Sequence, residues 1–310
     1  MVAAASVGGT AYLAAIGWLA VRGVVPIEEP LGVLIVLGVA SPLLAWSLLR
    51  KSSAVRPAPG GATGRANLVV FGLLALVTCY LTVGAGPLDA GLPRAWLAPG
   101  PHAIVGVLRK LVVFVVLPWA ALGIGLGWRP SVYGLGSAAL RAMWGRQGVA
   151  TLVLALGLGA FQWFFGRGAA PLRAGEFSGV GLAGVVLLSF AWQAVEAGLV
   201  EEFFFRAVLQ TRLLALTGSP AAGAILAALV FGVAHVPGYV LRGGGVLDAI
   251  GSQPSALDAI AYAVAVPSVA AIPFALIWAR TRNLYACVLL HGAIDALPGA
   301  APLARAFGIH

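Results

Sequence analysis

Residues 181–216 read GLAGVVLLSFAWQAVEAGLVEEFFFRAVLQTRLLAL, an apolar run longer than a bilayer needs, yet with three carboxylates set inside it. A hydrocarbon layer about 30 Å thick is crossed by roughly 20 apolar residues in a helix. The rest of the chain repeats this texture. It is 61% hydrophobic and only 9% charged, with a mean hydropathy of +0.99 over 310 residues, whereas a soluble domain carries about 25% charged residues. A soluble globule that size must still cover its surface with polar groups. The solvent is therefore lipid, and the fold class expected is all-α, a polytopic transmembrane bundle of eight or nine helices.

Working outward, apolar stretches separated by short polar breaks predict helices over 2–21, 31–49, 67–84, 106–126, 149–165, 181–216, 220–236, 257–280 and 283–297. The N-terminus lacks the basic start of a secretory signal, so its first stretch reads as a membrane helix. Pro, Gly and small residues fill the break that begins at Ser52, and a second break from Gly127 to Gln147 mixes Arg with Trp as a surface-lying helix does. Three sections follow: 1–66 as N-terminal helices and linker, 67–180 as helices with the interfacial segment, and 181–300 as a C-terminal core. The 19 basic residues give a net charge of +9 and gather at segment ends, densest at Arg50, Lys51, Arg56 and Arg65. Lipid headgroups account for them, and no basic run interleaved with aromatics points to nucleic acid. Placing the 50–66 and 127–148 loops inside favours a cytoplasmic N-terminus. Cys79 and Cys287 lie in apolar segments without a CxxC partner and read as small buried residues.

A charge at membrane depth is expensive and needs a partner or a polar cavity. Glu196, Glu201, Glu202, His235, His291 and Asp295 fall in such positions, so chemistry is assigned to residues 190–300. Glu202 and Arg206 are four apart on a helix and neutralise each other, while Glu201 points about 100° away. By itself this hexapeptide also fits an ion-paired helix-packing device. Glu201 precedes Thr217 by sixteen residues and His235 follows Pro220 by fifteen. In an antiparallel hairpin both then lie ~23–24 Å from the turn, at one level. His291 and Asp295 share a face of the last helix at i,i+4, and Gly292 and Ala293 let a neighbouring helix come close.

With Glu201-Glu202-Phe203-Phe204-Phe205-Arg206, then Phe231 and His235, then His291 and Asp295, the chain resembles the CAAX protease and bacteriocin-processing family of intramembrane peptidases, whose pattern is EExxxR, FxxxH and Hxxx(N/D). The resemblance implies an intramembrane endopeptidase acting on a membrane-associated or lipidated peptide. Glu201 would be the base, His235 would hold the water with it, and His291, oriented by Asp295, would donate to the oxyanion. Glu202 and Arg206 would be a structural ion pair beside the site. No cofactor is expected. The alternative mechanism is a zinc site with Glu201, His235 and His291 as ligands, and the alternative function is a catalytically silent scaffold or immunity protein on the same fold. An Arg-over-Lys, Ala- and Gly-rich composition suggests a GC-rich bacterial genome, hence the bacterial inner membrane.

Overall fold

The computed structural model describes residues 2–52, 64–84, 86–244 and 248–309, with side chains from Ser6 onward. The break that begins at Ser52 lies outside the described residues from 53 to 63. Among the described residues there are helices and no strands. We number the long helices α1 (Val2–Arg22), α2 (Glu28–Leu49), α3 (Gly64–Val83), α4 (Pro99–Ile124), α5 (Arg146–Phe165), α6 (Gly179–Thr217), α7 (Pro220–Arg242), α8 (Ala256–Ala270), α9 (Ile272–Thr281) and α10 (Leu284–Phe307). Seven of them are long and apolar enough to cross a membrane, or eight if α8 and α9, bent by 40° at their junction, form one span. The protein is a multi-pass helical membrane bundle, and large apolar side chains such as Leu68, Ile124, Leu156, Phe165 and Val180 stand on its outside.

Three elements differ from the sequence expectation, the first being the stretch 257–280, expected as one helix and found as the bent pair α8 and α9. The last helix runs on to Phe307 through Pro298 and Pro302, because proline costs a helix one hydrogen bond at a time and packing on α6 supports this stretch. Helix α7 does not simply stop near Val236. It turns at Ala234 and His235 and resumes from Val236 to Arg242 with Pro237 in its first turn. The interfacial segment forms a short helix, Ser137–Met143.

Helix α6 is the axis of the bundle. Every residue from Phe203 to Gln210 is buried, and π-helical turns at Ala194–Leu199 and Phe203–Gln210 flank Glu201 and Glu202. Such widened turns recur at functional sites. The hairpin into α7 is set by Gly218 in the left-handed region (φ 63°), followed by Ser219, whose hydroxyl caps α7 by accepting from Ala222 N at 3.3 Å, and by Pro220 in its first turn. Contacts along the pair make α6 and α7 antiparallel neighbours. Helix α10 packs closely on α6: a Cβ on Gly292 would stand 2.9 Å from Ala194 Cα, and one on Gly198 would stand 2.7 Å from the Val288 carbonyl oxygen.

Gly232 allows a still closer approach between α7 and the bend of α8 at Val266. A Cβ there would overlap Ser268 Oγ and the carbonyl oxygen of Ala263. Gly232→Ala is therefore expected to cost about 1–3 kcal/mol by overpacking, read as an earlier unfolding transition in detergent. An unchanged transition would show that α7 and the bend are free to separate.

Candidate active site

Glu202 is fully buried and joins two helices. Its Oε2 accepts from Arg206 Nε at 2.9 Å, and its Oε1 lies 2.8 Å from His291 Nδ1 on α10. The sequence reading placed Arg206 beside Glu202, and that pair is present; it did not foresee the bond from Glu202 to His291. Arg206 is buried as well, and its two terminal nitrogens have no hydrogen-bond partner among the described residues. Instead its guanidinium faces the rings of Phe231 at 5.2 Å and Phe274 at 5.8 Å, a cation–π contact that partly replaces lost hydration.

His291 is held on all sides. Its ring packs on Phe274 with centroids 5.0 Å apart, and its Nε2 lies 3.3 Å from Asp295 Oδ2 and 3.8 Å from Glu201 Oε2. Carboxylate oxygens thus stand beside both ring nitrogens, in a hydrogen bond at Nδ1 and in ion-pair contacts at Nε2. Glu202, from the neighbouring helix, fixes Nδ1. Asp295, one turn along α10, sits at Nε2, the nitrogen that shares its reach with Glu201.

His235 occupies the turn within α7. Its Nδ1 is 2.9 Å from the carbonyl oxygen of Phe231, and since a carbonyl only accepts, Nδ1 carries the proton and the Nε2 lone pair stays available. The ring lies between Phe231 and Tyr239, with centroids 4.9 and 6.1 Å away. Glu201, His235, His291 and Asp295 all line one cavity of about 680 Å³. Glu201 and His235 also line a second, of about 420 Å³. Among the described residues no group of three or more His, Cys, Asp or Glu side chains converges as a metal-ligand set.

Several polar residues of these walls were not anticipated. Glu29 of α2 accepts from the Tyr262 hydroxyl at 2.6 Å, and Tyr239 donates to Asp248 at 3.0 Å; all four line the larger cavity, as does Arg167. Lys110 of α4 lines the smaller one and pairs with Glu196 at 2.7 Å. Beside Lys110, Arg109 binds Asp89 at 2.6 Å and, with His102, holds that carboxyl below its ordinary range. A signal existed for Lys110: it is a charge inside the apolar stretch predicted at 106–126. Glu29 was masked by its position beside Pro30, where a helix start accounts for an acid without further cause.

Comparison with curated proteins and with solved structures gives no match. Residues 183–297 match the family described as Type II CAAX prenyl endopeptidase Rce1-like, which leaves residues 1–182 and 298–310 outside the match. Glu201, Glu202, Arg206, Phe231, His235, His291 and Asp295 all fall within the matched segment. The model matched over residues 183–297 of this multi-pass membrane protein is thus that of the family its three motifs resemble, the CAAX prenyl endopeptidase-type membrane proteases.

Proposed function

We propose that the protein is an intramembrane endopeptidase that hydrolyses a peptide bond of a membrane-associated or lipidated substrate, prenylated peptides among them, with Glu201 as the base. The observation that carries this reading is the placing of His291. Buried Glu202 anchors one of its nitrogens, Glu201 and Asp295 flank the other, and the cavity they share also holds His235.

A water between Glu201 and the free Nε2 of His235 gives a proton to the Glu201 carboxylate as its oxygen attacks the substrate carbonyl. The oxyanion that forms takes a hydrogen bond from His291 Nε2, replacing the 3.3 Å contact with Asp295. Glu201 then returns the proton to the leaving nitrogen as the C–N bond breaks, giving a carboxylic acid and an amine. Glu202 and Arg206 take no proton in this scheme; they fix His291 and balance its charge. The buried rings of Phe203, Phe204 and Phe205 fill the core around this part of α6. We place the protein in the bacterial inner membrane, in keeping with its composition.

The test is purified protein in liposomes with a labelled, membrane-anchored peptide and a strong chelator. Cleavage is expected to persist in the chelator, without stoichiometric zinc by elemental analysis. One zinc per chain, with inactivation by chelator and rescue by added zinc, would replace this mechanism by the zinc one on Glu201, His235 and His291. No cleavage at all would leave the scaffold reading.

A further inference from the structure

The two cavities meet at Glu201, His235 and Tyr239, and their remaining walls differ in charge. Around the larger one stand Glu28, Glu29, Asp248 and Asp295, with Arg167 as the opposing arginine. Around the smaller one stand Lys110 and Arg242, and Glu201 is its one carboxylate among the described residues.

Specific features of the fold hold both cations at that space, and Lys110 also lines, together with Glu196, a neighbouring cavity of about 480 Å³. Lys110 Nζ donates to Glu196 Oε1 at 2.7 Å, and Glu196 is itself steadied by Trp192 Nε1 at 3.1 Å. One bond leaves two of the three ammonium protons for another acceptor, and Lys110 interacts electrostatically with Glu201 as well as with Glu196. Arg242 folds back along α7 over Gly238. Its Nη2 would stand 3.0 Å from a Cβ at that position, and its Nη1 3.2 Å from a Cβ at Gly84. Two glycines thus make room for a guanidinium turned back toward His235 rather than out along the helix. Lys110 lies outside the segment that matches the family, so this wall is partly this chain's own.

We propose that the smaller cavity is a carboxylate subsite, in which Lys110 and Arg242 bind an anionic group of the substrate close to the scissile bond. The acidic cavity then receives the chain on the other side of that bond, and the opposite charges set the direction in which the peptide lies. A carboxylate can come from the substrate's free C-terminus or from an Asp or Glu side chain nearby. The location of the scissile bond rests on the peptidase reading, whereas the binding of the carboxylate does not.

The experiment uses full-length Glu201→Gln protein in nanodiscs and three palmitoylated Ala-Leu octapeptides: a free acid, its C-terminal amide, and the amide with Glu as third residue from the end. At least one carboxylate peptide is expected to bind about tenfold tighter than the plain amide, the worth of one or two charge-assisted hydrogen bonds. Preference for the free acid alone assigns the α-carboxylate, and preference for the Glu amide assigns a side chain. Lys110→Gln and Arg242→Gln should each reduce the preference severalfold. Lys110→Arg should keep most of it, and exposed Arg242 can be changed without disturbing the core. Equal binding of all three peptides, or a preference untouched by both Gln variants, would overturn the subsite. A failed peptidase reading shows instead as wild-type protein that cleaves none of them.

Discussion

Glu201→Gln is expected to lower kcat by about 10²–10⁴-fold, the range for removal of a general base, while unfolding in detergent remains close to that of the parent. Glu201 is 22% exposed at its side chain and its ion-pair neighbour is His291 Nε2 at 3.8 Å, so it contributes little to the fold. Gln keeps the shape and the hydrogen-bonding reach of the side chain and removes its ability to accept a proton from water. Cleavage kinetics in liposomes, paired with a thermal unfolding trace, separates the two effects. A variant that keeps its kcat would move the base elsewhere.

Glu202→Gln should behave differently, with the largest loss of stability of any single change at the site. Its carboxylate is buried and bonded on both sides, to Arg206 and to His291. Removing its charge leaves Arg206, whose terminal nitrogens already lack hydrogen-bond partners among the described residues, as an uncompensated buried cation. Breaking such a pair costs about 3–5 kcal/mol. Activity should fall as well, because His291 loses the anchor of its Nδ1. The expected result is an early unfolding transition together with weakened cleavage. Equal loss of activity with full stability in both Gln variants would contradict the division between a working carboxylate and a supporting one.

The contrast between these adjacent glutamates was partly readable in the sequence. An i,i+4 spacing pairs Glu202 with Arg206 and turns Glu201 away, and that rule is local to one helix. Counting residues on both sides of the Thr217–Pro220 turn put His235 on the level of Glu201, and the two residues do line the same two cavities. The close approach at Gly292 also followed from residue size. What could not be read was which of three nearby acids reaches each nitrogen of His291. That depends on how α10 rotates against α6, and the rotation is set by Gly198 and Gly292 meeting backbone across the interface. The walls supplied by Glu29, Arg167 and Lys110 were hidden for the same reason. They come from helices far away in the chain, and no spacing rule links them to residues 190–300. Their cost in lipid marks them as in need of partners without saying which ones.

In the proposed reaction water, activated at Glu201, is added across a peptide bond. The most direct measurement is digestion of a membrane-anchored peptide by liposome-borne protein in heavy-oxygen water, followed by mass spectrometry of the products. The account predicts one heavy oxygen in the new C-terminal carboxyl group with the parent protein and no such product with Glu201→Gln. Unlabelled product, or labelled product formed equally by both proteins, would contradict it.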